Sequence, residues 1–193
     1  LQEVYKKYGY FKEDIKSMGG LIGGEAKKLT NFRNSSAKTV CGGIMNKAMA
    51  AAMGTMEVNA SMGVIVAAPT AGSSGVVPGV LFALQEEFDL SDEELLNGLY
   101  TAGAVGYLLM RNASVSGAEA GCQAEVGAAS AMAAAAAVEM MGGSPKMCLW
   151  AATGALSNLL GLVCDPIAGL VEAPCQNRNS IGASNALICA EQA

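Results

Sequence analysis

Residues 128–141 read AASAMAAAAAVEMM, eight alanines in fourteen positions with no glycine or proline. Alanine has the highest intrinsic helix propensity, so this stretch predicts a helix, closed by Gly142 and Gly143. Ser144 and Pro145 then supply an N-cap and a first-turn proline for another helix, expected to reach about Leu162. Such small side chains let helix backbones approach closely. The core is therefore expected to be tight helix-on-helix contact rather than interlocked Leu and Phe. The fold class that follows is all-α, a compact bundle of Gly/Ala-rich helices joined by Gly-, Ser- and Pro-rich loops.

The rest of the chain agrees. Its 193 residues are 52% apolar but only 5% aromatic, with 24 glycines, and they suffice for one domain over 1–193. SDEE at 91–94 is a capping-box pattern opening a helix to about Met110. Helices are also expected over 39–58, with Gly42 and Gly43 at its start, over 80–88 and over 179–190. Residues 1–16 read as a polar helix or arm carrying Tyr5, Tyr8, Tyr10 and Phe11. The stretch 17–29, SMGGLIGGEAKKL, reads as a turn before an anion nest, and it has neither P-loop nor GxGxxG spacing.

Several classes are excluded. A net charge of −5 leaves no basic footprint for nucleic acid. The best membrane candidates, 126–138 and 147–163, are too short or too polar for a span of about 20 apolar residues. Six scattered cysteines without CxxC pairs favour a reducing compartment, hence a cytoplasmic protein, and no signal peptide is legible. Histidine is absent, so a metal would have to be held by thiolates or carboxylates.

Chemistry concentrates at 164–179, CDPIAGLVEAPCQNRN, where Cys164 and Cys175 each lie beside a proline expected to keep them out of mid-helix. Cys122 sits in SGAEAGCQAEVG, another small-residue stretch, whereas Cys41, Cys148 and Cys189 look helical. Two readings stand: thiolates gathered about a metal, or thiols as core filler. Three thiolates on a [4Fe–4S] cluster would leave one iron open as a Lewis acid. The loop PTAGSSG at 69–75 offers backbone N–H groups and hydroxyls, suited to a carboxylate or phosphate or simply to capping a helix.

GCQAEVG, GLVCDPIAGLVEAPCQNRN, VNASMGVIVAAPTAGSSGVVPG and GGSP together resemble the α subunit, or α domain, of iron–sulfur-dependent bacterial L-serine dehydratases, over residues 17 to the end. The resemblance implies a catalytic α-type domain, trimmed at both ends, that deaminates L-serine to pyruvate and ammonia. It implies a [4Fe–4S] cluster on Cys122, Cys164 and Cys175, and no pyridoxal phosphate. Substrate would be held by Asn59, by Pro69, Thr70, Ala71, Gly72 and Ser73, and by Arg178. A β (ACT-like) subunit and a homodimer are the implied partners.

The single-chain members carry an acidic residue and a histidine before the CDP motif. Ser157 and Asn158 stand there instead, as in the two-subunit form. The α-proton base is therefore unassigned, with Lys47 and Ser73 as candidates. The alternatives are a related cluster-dependent lyase acting on L-cysteine or L-threonine, or a cluster-bearing or structural subunit inactive without its partner.

Overall fold

The computed structural model describes residues 15–35 and 38–193, and the aromatic-rich arm expected over 1–16 falls almost wholly outside them. Among the described residues the regular elements are seven α-helices and a short 3-10 turn at Ala71–Ser73. In chain order they are α1 (Glu25–Asn34), α2 (Gly42–Ala60), α3 (Val76–Phe88), α4 (Asp92–Asn112), α5 (Gly117–Met140), α6 (Pro145–Ser157) and α7 (Glu172–Glu191). The all-α expectation holds.

The alanine run forms the second half of α5, and α3, α4, α6 and α7 all pack on it. Ala129 and Ala133 to Ala136 are fully buried. One buried methyl contributes only about 0.8 kcal/mol, so no alanine anchors this core by itself. Stability comes from the number of close backbone contacts. Gly98 and Gly106 of α4 accept Met140 and Met132 of α5, and a Cβ at Gly106 would lie 2.9 Å from Met132 Cε. Between α2 and α3, a Cβ at Gly79 would lie 2.9 Å from the Ala48 carbonyl oxygen. Polar pins fix the register of these smooth surfaces. Asn185 of α7 donates to Ser130 Oγ on α5 and to the Ala155 carbonyl on α6, each at 2.9 Å, and Ser130 donates to the Gly182 carbonyl at 2.8 Å.

Several boundaries differ from the sequence expectation, among them the start of α3, at Val76 instead of 80. Helix α6 stops at Ser157 instead of about 162, because residues 157–162 tighten into turns that end at Gly161, whose φ is +89°. Helix α7 starts at Glu172 instead of 179, so Cys175 lies in a first helical turn and not at a break. Proline is tolerated at position 174 because the first-turn N–H groups have no intrahelical acceptor. Helix α5 begins at Gly117 and already contains Cys122, after a kink at Gly121 (φ +75°). Cys41 lies just ahead of α2 and is exposed, not within a helix.

The Gly-Gly segment is both a turn and a carboxylate nest, and the carboxylate is the chain's own. Glu172 Oε1 accepts from Gly19 N at 2.7 Å, and its Oε2 accepts from Ser17 Oγ at 2.5 Å and Leu21 N at 3.4 Å. This closes residues 17–22 over the start of α7. Beneath them Glu57 is 3% exposed and accepts from Ala26 N (2.9 Å) and Gln176 Nε2 (3.0 Å). Burial pushes the Glu57 carboxyl up, and its neighbour Glu25 adds to the rise. Glu25 is held low in spite of its own partial burial by backbone N–H groups, that of Gly23 foremost.

Among the described residues an opening of ≈ 740 Å³ lies between α3 and α4, lined mostly by apolar side chains, with Asp92 and Tyr107 as its polar members. No helix among the described residues is long and apolar enough to cross a membrane.

Two outcomes follow from this packing. Gly79→Ala, which would stabilise an exposed helix by about 1 kcal/mol, instead destabilises the protein by about 1–3 kcal/mol through overpacking, read as a lower urea midpoint. Glu57→Gln keeps the acceptor and removes the acid. A raised carboxyl favours the fold below its ordinary range and loses that contribution as pH rises through the folded-state value. The variant should thus be more stable than wild type at pH 8, the gap closing toward pH 5, and a pH-independent gap in urea titrations would contradict the buried-acid account.

Candidate metal centre and ligand loop

Residues 69–75 turn back sharply after a cis Ala68–Pro69 peptide and the Ala71–Ser73 turn. Side chains from two helices hold the turn. Asn59, near the end of α2, donates to the Ala71 carbonyl at 2.9 Å, and Ser74 Oγ donates to the same oxygen at 2.8 Å. Asn179 of α7 is fully buried, and its amide satisfies three backbone groups at once. Its Oδ1 accepts from Gly75 N (2.9 Å), while Nδ2 donates to the carbonyls of Gly72 (2.8 Å) and Cys175 (2.7 Å). One side chain therefore ties the loop to the turn carrying Cys175.

Thr70 donates its hydroxyl to Glu125 Oε1 in a short hydrogen bond. With that proton committed, Ser73, also fully buried, shares its own between Thr70 Oγ1 at 3.2 Å and the Ala68 carbonyl at 3.4 Å. Glycines flank the Glu125 carboxylate: a Cβ at Gly72 would stand 2.6 Å from Oε1, and one at Gly117 would collide with Oε2.

The three loop-context cysteines come into one neighbourhood. Cys122 follows the Gly121 kink, where a Cβ would lie 3.0 Å from the Leu162 carbonyl, so the CDP loop passes directly over the kink. Gln123 holds that loop, its N–H donating to Leu162 O at 2.7 Å and its Oε1 accepting from Gly161 N at 2.8 Å. Arg178 completes the tie. Its Nη1 donates to Val163 O at 2.6 Å and to Cys122 Sγ at 3.0 Å, and Nη2 lies 3.6 Å from Asp165 Oδ2. Cys164, between those two loop residues, is exposed, whereas Cys122 is buried and Cys175 half-buried.

Electrostatics reports the same proximity. Burial, then the charges of Glu125, Cys122 and Cys164, push the Cys175 thiol up to about 12 against the opposing pull of Arg178. Cys122 is raised by burial as well, although the Arg178 guanidinium works to lower it. Among the described residues, no three Cys, Asp or Glu side chains stand close enough to hold a single metal ion. The thiols share a neighbourhood without sharing one ion's coordination shell.

The expected residues thus fall into two groups. Asn59, Pro69 to Ser73, Cys122, Cys164, Cys175 and Arg178 belong to one connected region. Lys47 does not. It pairs with Glu86 (3.0 Å) and Glu87 (2.9 Å) of α3, and at 1.5 Å per residue it lies about 18 Å along α2 from Asn59. Arg178 was expected to meet a ligand carboxylate, but two of its nitrogens serve Cys122 and the CDP loop. Sequence reading passed over the roles of Glu125, Asn179 and Gln123. The only signal was their place beside cysteine motifs, since nothing in one-dimensional spacing reveals that Glu125 reaches residue 70.

The all-α bundle gathers thiols and a hydroxyl-bearing glycine loop near its helix starts. The chain belongs to the serine dehydratase alpha chain family, whose model matches residues 2–193. It is 54% identical over 181 residues to the probable L-serine dehydratase alpha chain of Bacillus subtilis, covering 94% of this chain and 60% of that protein. The alpha chain from Peptoniphilus asaccharolyticus is 51% identical over 173 residues, 90% of this chain and 59% of its own length. L-serine dehydratase 1 of Escherichia coli is 45% identical over 147 residues, 74% of this chain and 32% of that protein. The chain thus spans about three-fifths of the first two relatives.

Asn179→Ala would strand the Gly75 N–H and the Gly72 carbonyl in a buried site, at a cost of about 1–3 kcal/mol for each unsatisfied group. The expected outcome is a loss of at least about 2 kcal/mol in urea unfolding, together with faster amide exchange across 69–75. A loss under about 1 kcal/mol would mean that the amide does not hold the loop.

Proposed function

We propose that this chain is the catalytic part of an L-serine dehydratase, a lyase converting L-serine to pyruvate and ammonia, with a [4Fe–4S] cluster held by Cys122, Cys164 and Cys175. The observation that carries the reading is the convergence of these three thiols about Arg178, in a chain of the serine dehydratase alpha chain family. The donor chemistry suits the group. Soft thiolates favour iron–sulfur clusters, and a cluster takes one thiolate per iron, so three neighbouring thiols would serve three irons. Cys122 and Cys175 also sit in first turns of helical segments, where backbone dipoles favour negative charge.

When bound, such a cluster supplies a Lewis-acidic iron for the substrate hydroxyl. The chain's own residues do the rest. Arg178 tethers Cys122 and the Cys164 loop, a role that fits its geometry better than receiving a carboxylate. Asn59 and Asn179 fix the turn from Pro69 to Ser73, whose backbone would meet a small polar substrate. Ser73 is the candidate for handling the α-proton, since Lys47 is held elsewhere. Loss of water from serine leaves an enamine, which tautomerises and hydrolyses to pyruvate and ammonia without pyridoxal phosphate. Relatives named as alpha chains support a β-chain partner, and a homodimer belongs to the same proposal.

The deciding experiment is anaerobic iron and sulfide reconstitution of the wild type and Cys164→Ser, followed by L-serine turnover with the β chain added. About four irons per chain and pyruvate release are expected from the wild type, both lost in the variant. A wild type that takes up no iron and releases no pyruvate would sink the reading.

A further inference from the structure

We propose that Glu125 is the receptor for the substrate's ammonium group, which makes it the residue that selects an α-amino acid over its amine-free counterpart. The inference rests on the L-serine dehydratase reading and adds a residue to it. Its basis is an unfilled charge. The Glu125 carboxylate is half-buried, and its Oε1 accepts from Thr70. Among the described residues its Oε2 has no hydrogen-bond donor, and no Lys or Arg pairs with it. Arg178, the cation among the thiols, is engaged by Cys122, Val163 and Asp165. A partly desolvated carboxylate without a counter-ion is costly, and a positively charged ligand removes the cost.

Glu125 stands between the ligand loop and the thiols: it touches Thr70 and the space left by Gly72, and its charge raises the thiols of Cys175 and Cys122. A small molecule whose hydroxyl faces the thiols and whose carboxylate faces the 69–75 turn carries its ammonium between them. Gly72 and Gly117 keep methyl groups out of the space around both carboxylate oxygens. Carboxylate–ammonium pairing also matches the ligand's remaining charge, because the protein cation is already neutralised in part by Asp165.

Glu125→Gln separates this role from mere support of the loop, since the amide oxygen still accepts from Thr70 while the charge is lost. The measurement uses the anaerobically reconstituted chain with its β chain, comparing L-serine with 3-hydroxypropanoate, which is serine without the amine. Expected for Glu125→Gln is a KM for L-serine at least tenfold higher, with kcat within about threefold and iron content unchanged. The inhibition constant of 3-hydroxypropanoate should stay within about twofold or tighten. An equal weakening of both ligands, a fall in kcat at constant KM, or loss of iron would each overturn the assignment in favour of a structural role. Failure of the parent reading shows separately, as no pyruvate from the wild type. In that event equilibrium dialysis of radiolabelled L-serine and 3-hydroxypropanoate on the same proteins decides, and equal retention of both by the wild type overturns the ammonium site.

Discussion

The constraint on which this structure depends is backbone-to-backbone contact between helices that carry almost no side chain at their interfaces. Helix α5 can be surrounded by α3, α4, α6 and α7 only because Ala129 and Ala133 to Ala136 present methyl groups. Gly79 and Gly106 present nothing at all to the carbonyl and the methionine that approach them. Dispersion between closely packed backbones then replaces the large apolar anchors of an ordinary core. Smooth surfaces of this kind specify register poorly. That task passes to buried polar groups, such as Asn185 with Ser130 and Asn179 with the 69–75 loop.

The same constraint shapes the site. Because helix ends can approach closely, the kink at Gly121, the CDP loop and the start of α7 meet without intervening bulk. Polar side chains then act as clamps between backbones. Asn179 joins 72 and 75 to 175, Gln123 joins α5 to residues 161 and 162, and Glu172 draws residues 17–21 over the start of α7. Rigid elements on every side hold Cys122 and Cys175, while Cys164 lies on the exposed connecting loop. Holding a cluster from two helix starts and one loop would leave one side open to a ligand.

How legible this was in the sequence follows from the range of the forces involved. Alanine propensity, the Ser91–Glu94 capping box and the Ser144–Pro145 start are local signals, and α4, α5 and α6 were readable from them. The prolines misled at Cys175, since first-turn tolerance of proline depends on which residue opens the helix, and only tertiary contact through Glu172 settles that. Family motifs pointed to the three thiols and the 69–75 loop. They could not tell that Arg178 faces inward to Cys122 and Asp165, nor that Lys47 points to α3, because a long cationic side chain chooses its partner in space. Glu125 was invisible for the same reason: its partner is 55 residues away.

Charge accounting connects these points. If Arg178 turned away to a ligand carboxylate, its contacts to Cys122, Val163 and Asp165, which tie the CDP loop to α7, would weaken. The loop holding Cys164 would loosen at the moment of binding, when a thiolate centre most needs fixed ligands. An arginine committed to the protein avoids that conflict and, on the proposed reading, leaves the ligand's carboxylate to the 69–75 turn. On that reading an α-amino acid would bring one charge for the turn and one for Glu125. On the proposed reading, recognition of a zwitterion therefore requires Arg178 to be occupied and Glu125 to be free. Both conditions are met by the same short stretches of α5 and α7 that carry Cys122 and Cys175.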